Sequence, residues 1–574
     1  MLDIEMKEAT VLDIFCGAGG FSEGFKQQGF KIVMGIDSWE PAIKTFNHNF
    51  GLNCKTKNVL EIARSIDEIE QLPDTDLIIG SPPCVNFSSS NRSGKANKSS
   101  GIQLIKAFLK IVAVKAYKPN SKLKAWLMEN VINSANYVND FYTFRNLGLS
   151  EWARLNGLNP NKKAIILRGN EKIINAAEFG VPQMRKRLIF SQILHSDKRI
   201  VPNRTHKSPE EAVDLDPFIT LGCIKKSLPE PNKELSNYIV KDILYKGIQI
   251  KLSELSDHFY DTGLFECEWK QSKFLKTNHP YMGRMAFPEN DNKPSRTITA
   301  TNIGTSREAI IYKSEFNRKG NGEFRTPTIR ELASLMSFPI TYQFMGSEGI
   351  KCKLIGNAVC PLVSNALALA IRNEFGLTSL RALIINEKPD LTGINNLNTY
   401  SPKEFKNNPR RNKGSRFRRH PFKDGNITIT MSNYDIKNEG QNNGVWMTSI
   451  QYGNGHGFPS YNIPDGLYHR LGKTIQSYKN GMKFLEIIHN DFLNKIGSSK
   501  LLQELYESQM SLGATLEPTK LIEELGLIIN DLEVDDDYFF QNGQEIFKGK
   551  SKVPLKQLYA LYAINLVVTF ANKS

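Results

Sequence analysis

Apolar and polar positions alternate in a regular way over the first 190 residues. "ATVLDIF" is a short β-rich run that ends in "CGAGG". "FSEGFKQQGF" follows with apolar residues at helical spacing, and "KIVMGID" begins a second apolar strand, so the opening segment predicts a βαβ unit. Further strands are predicted at "DLIIG" (76–80), "KAWLME" (124–129), "KAIILR" (163–168) and "RLIFSQ" (187–192), with helical stretches such as "GIQLIKAFLKIVAVKAY" between them. This alternation predicts an α/β fold with a doubly wound, mostly parallel, Rossmann-like sheet over residues 1–192. In such sheets ligands bind outside the carboxyl ends of the strands.

The pattern changes beyond that point. Residues 193–324 are rich in turn signals ("VPNRTHKSPEE", "FPENDNKPSR"), and 325–376 return to helical periodicity, with Thr328 and Glu331 spaced as a capping box before "IRELASLMS". Residues 377–483 read as a basic linker or accessory segment, including "KEFKNNPRRNKGSRFRRHPFK", where Phe405, Phe417 and Phe422 interleave with the charges. Residues 484–574 predict a small helical domain.

Composition narrows the choice of partner. The 574 residues are enough for two or three domains, and 74 Lys+Arg against 59 Asp+Glu leave a formal charge of +15, which favours a polyanion. Seven cysteines form no CxxC pair, so neither a disulfide framework nor a metal site is expected, and Cys16, Cys54, Cys223, Cys267, Cys352 and Cys360 read as buried structural thiols. No signal segment is seen, and the late apolar stretch "LYALYAINLVVTFA" is too short to span a bilayer. A cytoplasmic protein with no membrane partner is the expectation.

Three loops carry candidate chemistry. Gly17, Gly19 and Gly20 follow a strand and open a helix, which lets backbone approach a ligand, and Asp37 ends the next strand in position to bond ribose hydroxyls. The loop lacks a GKS or GKT ending, so a nucleoside-bearing cofactor is favoured over a nucleoside triphosphate. Cys84 stands just past a strand end, after Pro82 and Pro83 and before a polar stretch carrying Arg92, Lys95 and Lys98, a setting that suits a nucleophile facing an anionic substrate. In "QMRKRLIF", Gln183, Arg185 and Arg187 alternate, which predicts one strand with all three side chains on one face.

"DIFCGAGGFSEGF", "GSPPCVNFS", "LMENV", "EFGVPQMRKRLIF", "PTIRELASLMSFP" and "KLIGNAVCPLV" occur in the order of the blocks that define cytosine-5 DNA methyltransferases. The resemblance covers roughly residues 8–375. It implies that Cys84 adds to carbon 6 of a flipped cytosine so that carbon 5 can accept a methyl group from S-adenosylmethionine. Glu129 would carry a proton at N3, Arg187 would hold O2, and Arg185 would support the cysteine loop; Pro83, Gln183 and Asn130 would border the substrate. Phe15, Gly17, Gly19, Asp37, Asn58, Gly356 and Asn357 would form the cofactor site. Residues 193–324 would be an inserted target-recognition domain, with Arg284, Lys293, Arg296 and Arg307 available to phosphates or bases, and 325–376 would complete the catalytic domain.

Two departures stand out: Val85 replaces the family's usual glutamine after the Pro-Cys pair, and Asn58 stands where an aspartate commonly meets the adenine. Double-stranded DNA is the expected substrate, with a cognate restriction endonuclease or another defence-system protein as a partner. A transfer-RNA methyltransferase, or a catalytically silent DNA-binding protein that keeps the fold, are the alternatives. For the tail, a fused nuclease around Glu545 and Lys548 ranks below DNA binding and a partner interface, and His456 has no partner spacing for a metal.

Overall fold

The computed structural model describes all residues except 1–7, 84–97, 197, 233–237, 278–283, 301–303, 379, 406–418, 425–426, 434–444, 453–459, 463–466, 509, 535–537, 542–545 and 548–549. Cys84, Val85, Arg92, Lys95, Phe417, His456, Glu545 and Lys548 therefore lie outside the described residues. The chain divides into two compact units, Met1–Glu404 and Phe405–Ser574.

The first unit is built on β1 (Thr10–Ile14), α1 (Gly20–Gln27), β2 (Lys31–Ile36), α2 (Glu40–Phe50), β3 (Leu77–Gly80), α3 (Lys98–Tyr117), β4 (Ala125–Asn130), β5 (Glu171–Asn175), β6 (Gln183–Met184) and β7 (Lys186–Ile193). Its six-stranded sheet has the order β2-β1-β3-β4-β7-β5. The first four strands run parallel, as expected, while β7 is antiparallel to β4 and β5 is antiparallel to β7. Successive residues of the central strands feed two different cores because side chains alternate across a sheet. Val11, Leu77, Ile79, Ala125 and Leu127 face one side. Leu12, Ile78, Trp126 and Met128 face the other, packed on Ile105, Phe108 and Val112 of α3.

Two strand expectations need correction. The "KAIILR" run lies outside the main sheet, with Lys163–Ile166 pairing antiparallel with Phe141–Thr143. The run from Gln183 to Arg187 is broken at Arg185: β6 pairs with β8 (Ser295–Arg296), whereas β7 joins the main sheet. Cys223 is also exposed, and Cys54 and Cys267 are only partly covered, against the expectation of burial.

The return segment forms α4 (Ile329–Leu335), α5 (Glu348–Asn357) and α6 (Pro361–Glu374). Thr328 and Glu331 make the expected capping box on α4. Helix α6 lies so close to α1 that a Cβ on Gly24 would sit 2.3 Å from the Asn365 nitrogen. The stretch 348–374 is long and apolar enough to cross a bilayer by composition, but most of it is buried in this core.

After α6, residues 380–404 run across the first unit as a strap. Ile384 N donates to Gln27 O at 3.0 Å, and Lys26 Nζ donates to Asn386 Oδ1 at 2.8 Å. The Asn398 side-chain oxygen accepts from the backbone nitrogens of His258 and Phe259. Beneath the strap, Lys351 Nζ bonds both oxygens of Asp257 at 2.8 Å and the Asn395 carbonyl, and neither charged side chain reaches solvent.

The second unit has an antiparallel sheet, β9 (Arg419–Asp424), β10 (Ile427–Ser432), β11 (Met447–Tyr452) and β12 (Ser460–Asn462), in that order. Its helices include α7 (Tyr468–Gln476), α8 (Gly481–Ile487), α9 (Ser499–Ser508), α10 (Pro518–Asp531) and α11 (Leu555–Lys573). Ile427, Ile429, Met431 and Ile450 of the sheet share one core with Leu471, Phe484, Leu525 and Leu561 of the helices. A division at 483/484 would cut through that core, so the tail is one mixed unit rather than a linker followed by a helical domain.

Candidate active site

The glycine loop is shaped by its backbone. Phe15 adopts φ 64° and Gly17 φ 52°, both left-handed, so the chain turns sharply off β1. A Cβ on Gly17 would meet nothing within 4 Å, which leaves open space beside the loop. At Gly19 (φ 87°) a Cβ would sit 2.6 Å from the Phe50 ring and 2.7 Å from the Tyr342 hydroxyl, so that glycine is required by packing. The Tyr342 hydroxyl in turn donates to the Ala18 carbonyl.

Asp37 ties this loop to β2. Its Oδ2 accepts from Gly17 N at 3.0 Å and its Oδ1 from Trp39 N at 2.8 Å. Burial raises its pKa, while the backbone donors at Trp39 and Gly17 oppose that shift. Each carboxylate oxygen keeps acceptor capacity for a ribose hydroxyl. Asn58 caps the short helix 59–62, its Oδ1 accepting from Leu60 N at 3.0 Å. The open space at Gly17 next to an acceptor-only side chain fits a nucleoside-bearing cofactor.

The base of the Cys84 loop is fixed from two sides. Ser81 N donates to Ile14 O at 3.3 Å, and Ser81 Oγ donates to the Phe15 carbonyl at 3.2 Å. Asn130 Nδ2 donates to the Pro82 carbonyl at 3.1 Å, and Pro83 is exposed as the last described residue before the cysteine. The loop thus leaves β3 pinned to the glycine loop on one side and to the end of β4 on the other.

Glu129 and Arg187 come from antiparallel neighbours. Glu129 pairs with Ile189 across β4 and β7, so Arg187, two residues along, lies diagonally opposite on the same face. Arg187 Nε stands 2.9 Å from Glu129 Oε1, with side chains only 16% and 11% exposed. Both line a small recess with Arg185 and Cys360. Burial pushes the Cys360 thiol up to about 11 despite the nearby arginines, so it is held protonated and is not a competing nucleophile.

Arg185 and Gln183 also reach segments distant in sequence. Arg185 Nη1 donates to Ile298 O at 3.0 Å, and its Nη2 donates to Gly356 O at 3.2 Å and Ala358 O at 3.1 Å. Gln183 is fully buried, its Nε2 donating to Leu335 O at 3.2 Å and its Oε1 accepting from Ile298 N at 2.8 Å. Both side chains hold the 298 segment, and Arg185 also fastens the α5–α6 junction while Gln183 fastens the end of α4. Gly356 serves the same junction: a Cβ there would lie 2.3 Å from the Thr299 carbonyl oxygen. Asn357 is exposed beside it.

Within residues 193–324, Arg296 is engaged by Glu289 and the Ala309 carbonyl and Arg307 by Glu308, whereas Arg284 and Lys293 are exposed. Ser81, Trp39 and Tyr342 were not singled out from the sequence. Their contacts are made by turns and by a chain return more than 300 residues away, for which no local spacing signals.

Glycine loop, cysteine-loop base and the acid–arginine pair converge at the carboxyl ends of β1, β3 and β4. This is the layout of an α/β methyltransferase fold, with its candidate site at the carboxyl ends of the strands. The model of the C-5 cytosine-specific DNA methylase family matches residues 9–373, and the chain belongs to that family; it is a DNA cytosine-5 methyltransferase. The chain is similar to Type II methyltransferase M.DdeI of Desulfomicrobium norvegicum, 26% identical over 399 residues covering 62% of this chain and 87% of the relative. It is also similar to Type II methyltransferase M.HgiDI of Herpetosiphon aurantiacus, 28% identical over 359 residues covering 61% and 89%. Among solved structures, the Dnmt2 methyltransferase of S. pombe covers 64% of this chain and 99% of its own at 19% identity, with a TM-score of 0.39.

Proposed function

We propose that the first unit methylates carbon 5 of a cytosine extruded from double-stranded DNA, with Cys84 as the nucleophile. The observation that carries this reading is the double anchorage of residues 81 and 82, which starts the Cys84 loop between the glycine loop and Glu129. Carbon 5 of cytosine is a weak nucleophile, and addition of a thiolate at carbon 6 turns the ring into an enamine that can attack an electrophilic methyl group. Glu129 holds a proton at N3, so the ring gains no net negative charge as the C–S bond forms. Arg187, already beside Glu129, donates to O2 and sets the ring's orientation. Loss of the carbon 5 proton to water, expulsion of the Cys84 thiolate from carbon 6 and return of the N3 proton to Glu129 then release methylated cytosine and free enzyme.

S-adenosylmethionine supplies the methyl group when bound. Asp37 would accept from its ribose, Gly17 and Gly19 would admit its amino-acid part, Phe15 would pack on the adenine, and Asn58 and Asn357 would border it. Residues 193–324 read the target sequence, where the exposed Arg284 and Lys293 suit phosphates. The Type II names of the relatives support a role in restriction and modification, with a cognate endonuclease as partner.

The test offers labelled methyl donor with duplex DNA or with transfer RNA, and a duplex carrying 5-fluorocytosine as a trap. Label in DNA and a lasting adduct on Cys84, absent in Cys84→Ala, are expected. Label in RNA alone, or turnover without any adduct, would reject the proposal.

A further inference from the structure

The second unit lies outside the family match and carries a run of exposed cations. Helix α7 turns Leu471 and Ile475 into the unit's core, while Arg470 and Lys473 on its other side are exposed. The four-residue turn to α8 and the first turn of α8 add exposed Lys479 and Lys483. No Asp or Glu occurs between 467 and 485. Among the described residues none of the four cations enters an ion pair. Soluble surfaces ordinarily intersperse both signs of charge, and a stretch of one sign gathers counterions.

The turn is also rigid. Asn480 sits at φ 62°, and its Nδ2 donates to the Leu532 carbonyl at 2.9 Å. The Tyr559 hydroxyl donates to the Lys479 carbonyl at 3.5 Å. A Cβ on Gly481 would fall 1.8 Å from the Ile475 carbonyl oxygen, so only glycine permits this close join of α7 and α8. Cations on a fixed turn meet a regular polyanion without ordering the backbone first.

We propose that Arg470, Lys473, Lys479 and Lys483 form a second, sequence-independent surface for the phosphate backbone of duplex DNA. The proposal rests on DNA being the substrate, and it goes beyond the catalytic unit. A backbone contact of this kind would keep the enzyme on DNA between target sites, because phosphate contacts hold a protein on the duplex without reading bases.

The experiment measures binding of the full chain to a labelled duplex without target sites at several salt concentrations. It compares the parent with a variant carrying Arg470→Gln, Lys473→Gln, Lys479→Gln and Lys483→Gln, and with a control carrying Lys500→Gln and Lys520→Gln, also exposed residues of this unit. Removal of one cation from a phosphate should lower the slope of log affinity against log salt by about 0.9, so the fourfold variant should lose roughly 3 to 4 from the slope. The control should lose less than about 1. A fourfold variant with the parent's slope, or a control that falls equally, overturns the proposal. So does transfer RNA that displaces the duplex at equal concentration through the same four residues. Methyl transfer by the parent on the same DNA is read separately: a parent that methylates while the slope ignores the four substitutions sinks this surface and leaves the catalytic reading standing.

Discussion

Asn130 holds the carbonyl of Pro82 at 3.1 Å, so the strand that carries Glu129 also fixes the start of the Cys84 loop. Its Oδ1 accepts from Val131 N, which sets the amide's orientation. Replacing Asn130 by Ala leaves a buried carbonyl without its donor, a cost of about 1 to 3 kcal/mol, and frees the nucleophile loop. Single-turnover methyl transfer should slow by roughly 10- to 100-fold with little change in cofactor affinity. An Asn130→Ala rate within twofold of the parent would show that the loop is positioned by other means.

Glu129 and Arg187 are in direct contact, so their losses should not add. Glu129→Gln and Arg187→Ala are each expected to lower the chemical step by about 10²- to 10⁴-fold, the usual range for proton transfer and charge stabilisation. The double variant should be little slower than the worse single one, because each change already disables the other group. Rates that multiply across the double-mutant cycle would argue that the 2.9 Å contact has no part in catalysis.

Arg185 is a positioning residue whose fork reaches three carbonyls on two distant segments. Lysine keeps the charge but lacks the planar donor fork. In Arg185→Lys, hydrogen exchange should rise at 298 and at 356–358 together, and KM should rise for both methyl donor and DNA. A rise confined to one segment would separate the two anchorages.

Asp13 supplies a pH test of the core beneath the glycine loop. It is fully buried, accepts from Ser22 Oγ at 2.7 Å, and is pushed up to about 8 by burial, from an ordinary value of 3.8. The folded chain therefore holds a proton that the unfolded chain has lost between about pH 4 and pH 8. This contribution is fully present below pH 4 and fades as pH rises toward 8, at up to about 1.4 kcal/mol per unit. Asp13→Asn should remove that slope, so urea midpoints of parent and variant should diverge from pH 5 to pH 8 in the variant's favour. Parallel profiles would refute the assignment.

Local pattern made the catalytic unit readable. The strand–glycine–helix start, the fully apolar β3 and the Thr328–Glu331 cap are each set by neighbours in sequence. The hidden part is non-local. Alternation alone put Gln183, Arg185 and Arg187 on one strand, but pairing of β6 with a strand 112 residues later breaks it at Arg185. In the tail, the net charge of 377–483 masked "ITITMS", whose Ile427, Ile429 and Met431 enter the same core as α11. Nor does any spacing announce that Lys351 meets Asp257, 94 residues away.

The strap decides where the enzyme can be shortened. The family's match stops at 373, yet a truncation there would strip Asn395 and Asn398 from their partners and open the fully enclosed Lys351–Asp257 pair to water. Uncovering such a pair on one side only is among the costlier injuries to a core. A free-standing catalytic fragment should therefore end at 404, and the thirty-odd residues past the recognisable family belong to the methylase rather than to the second unit.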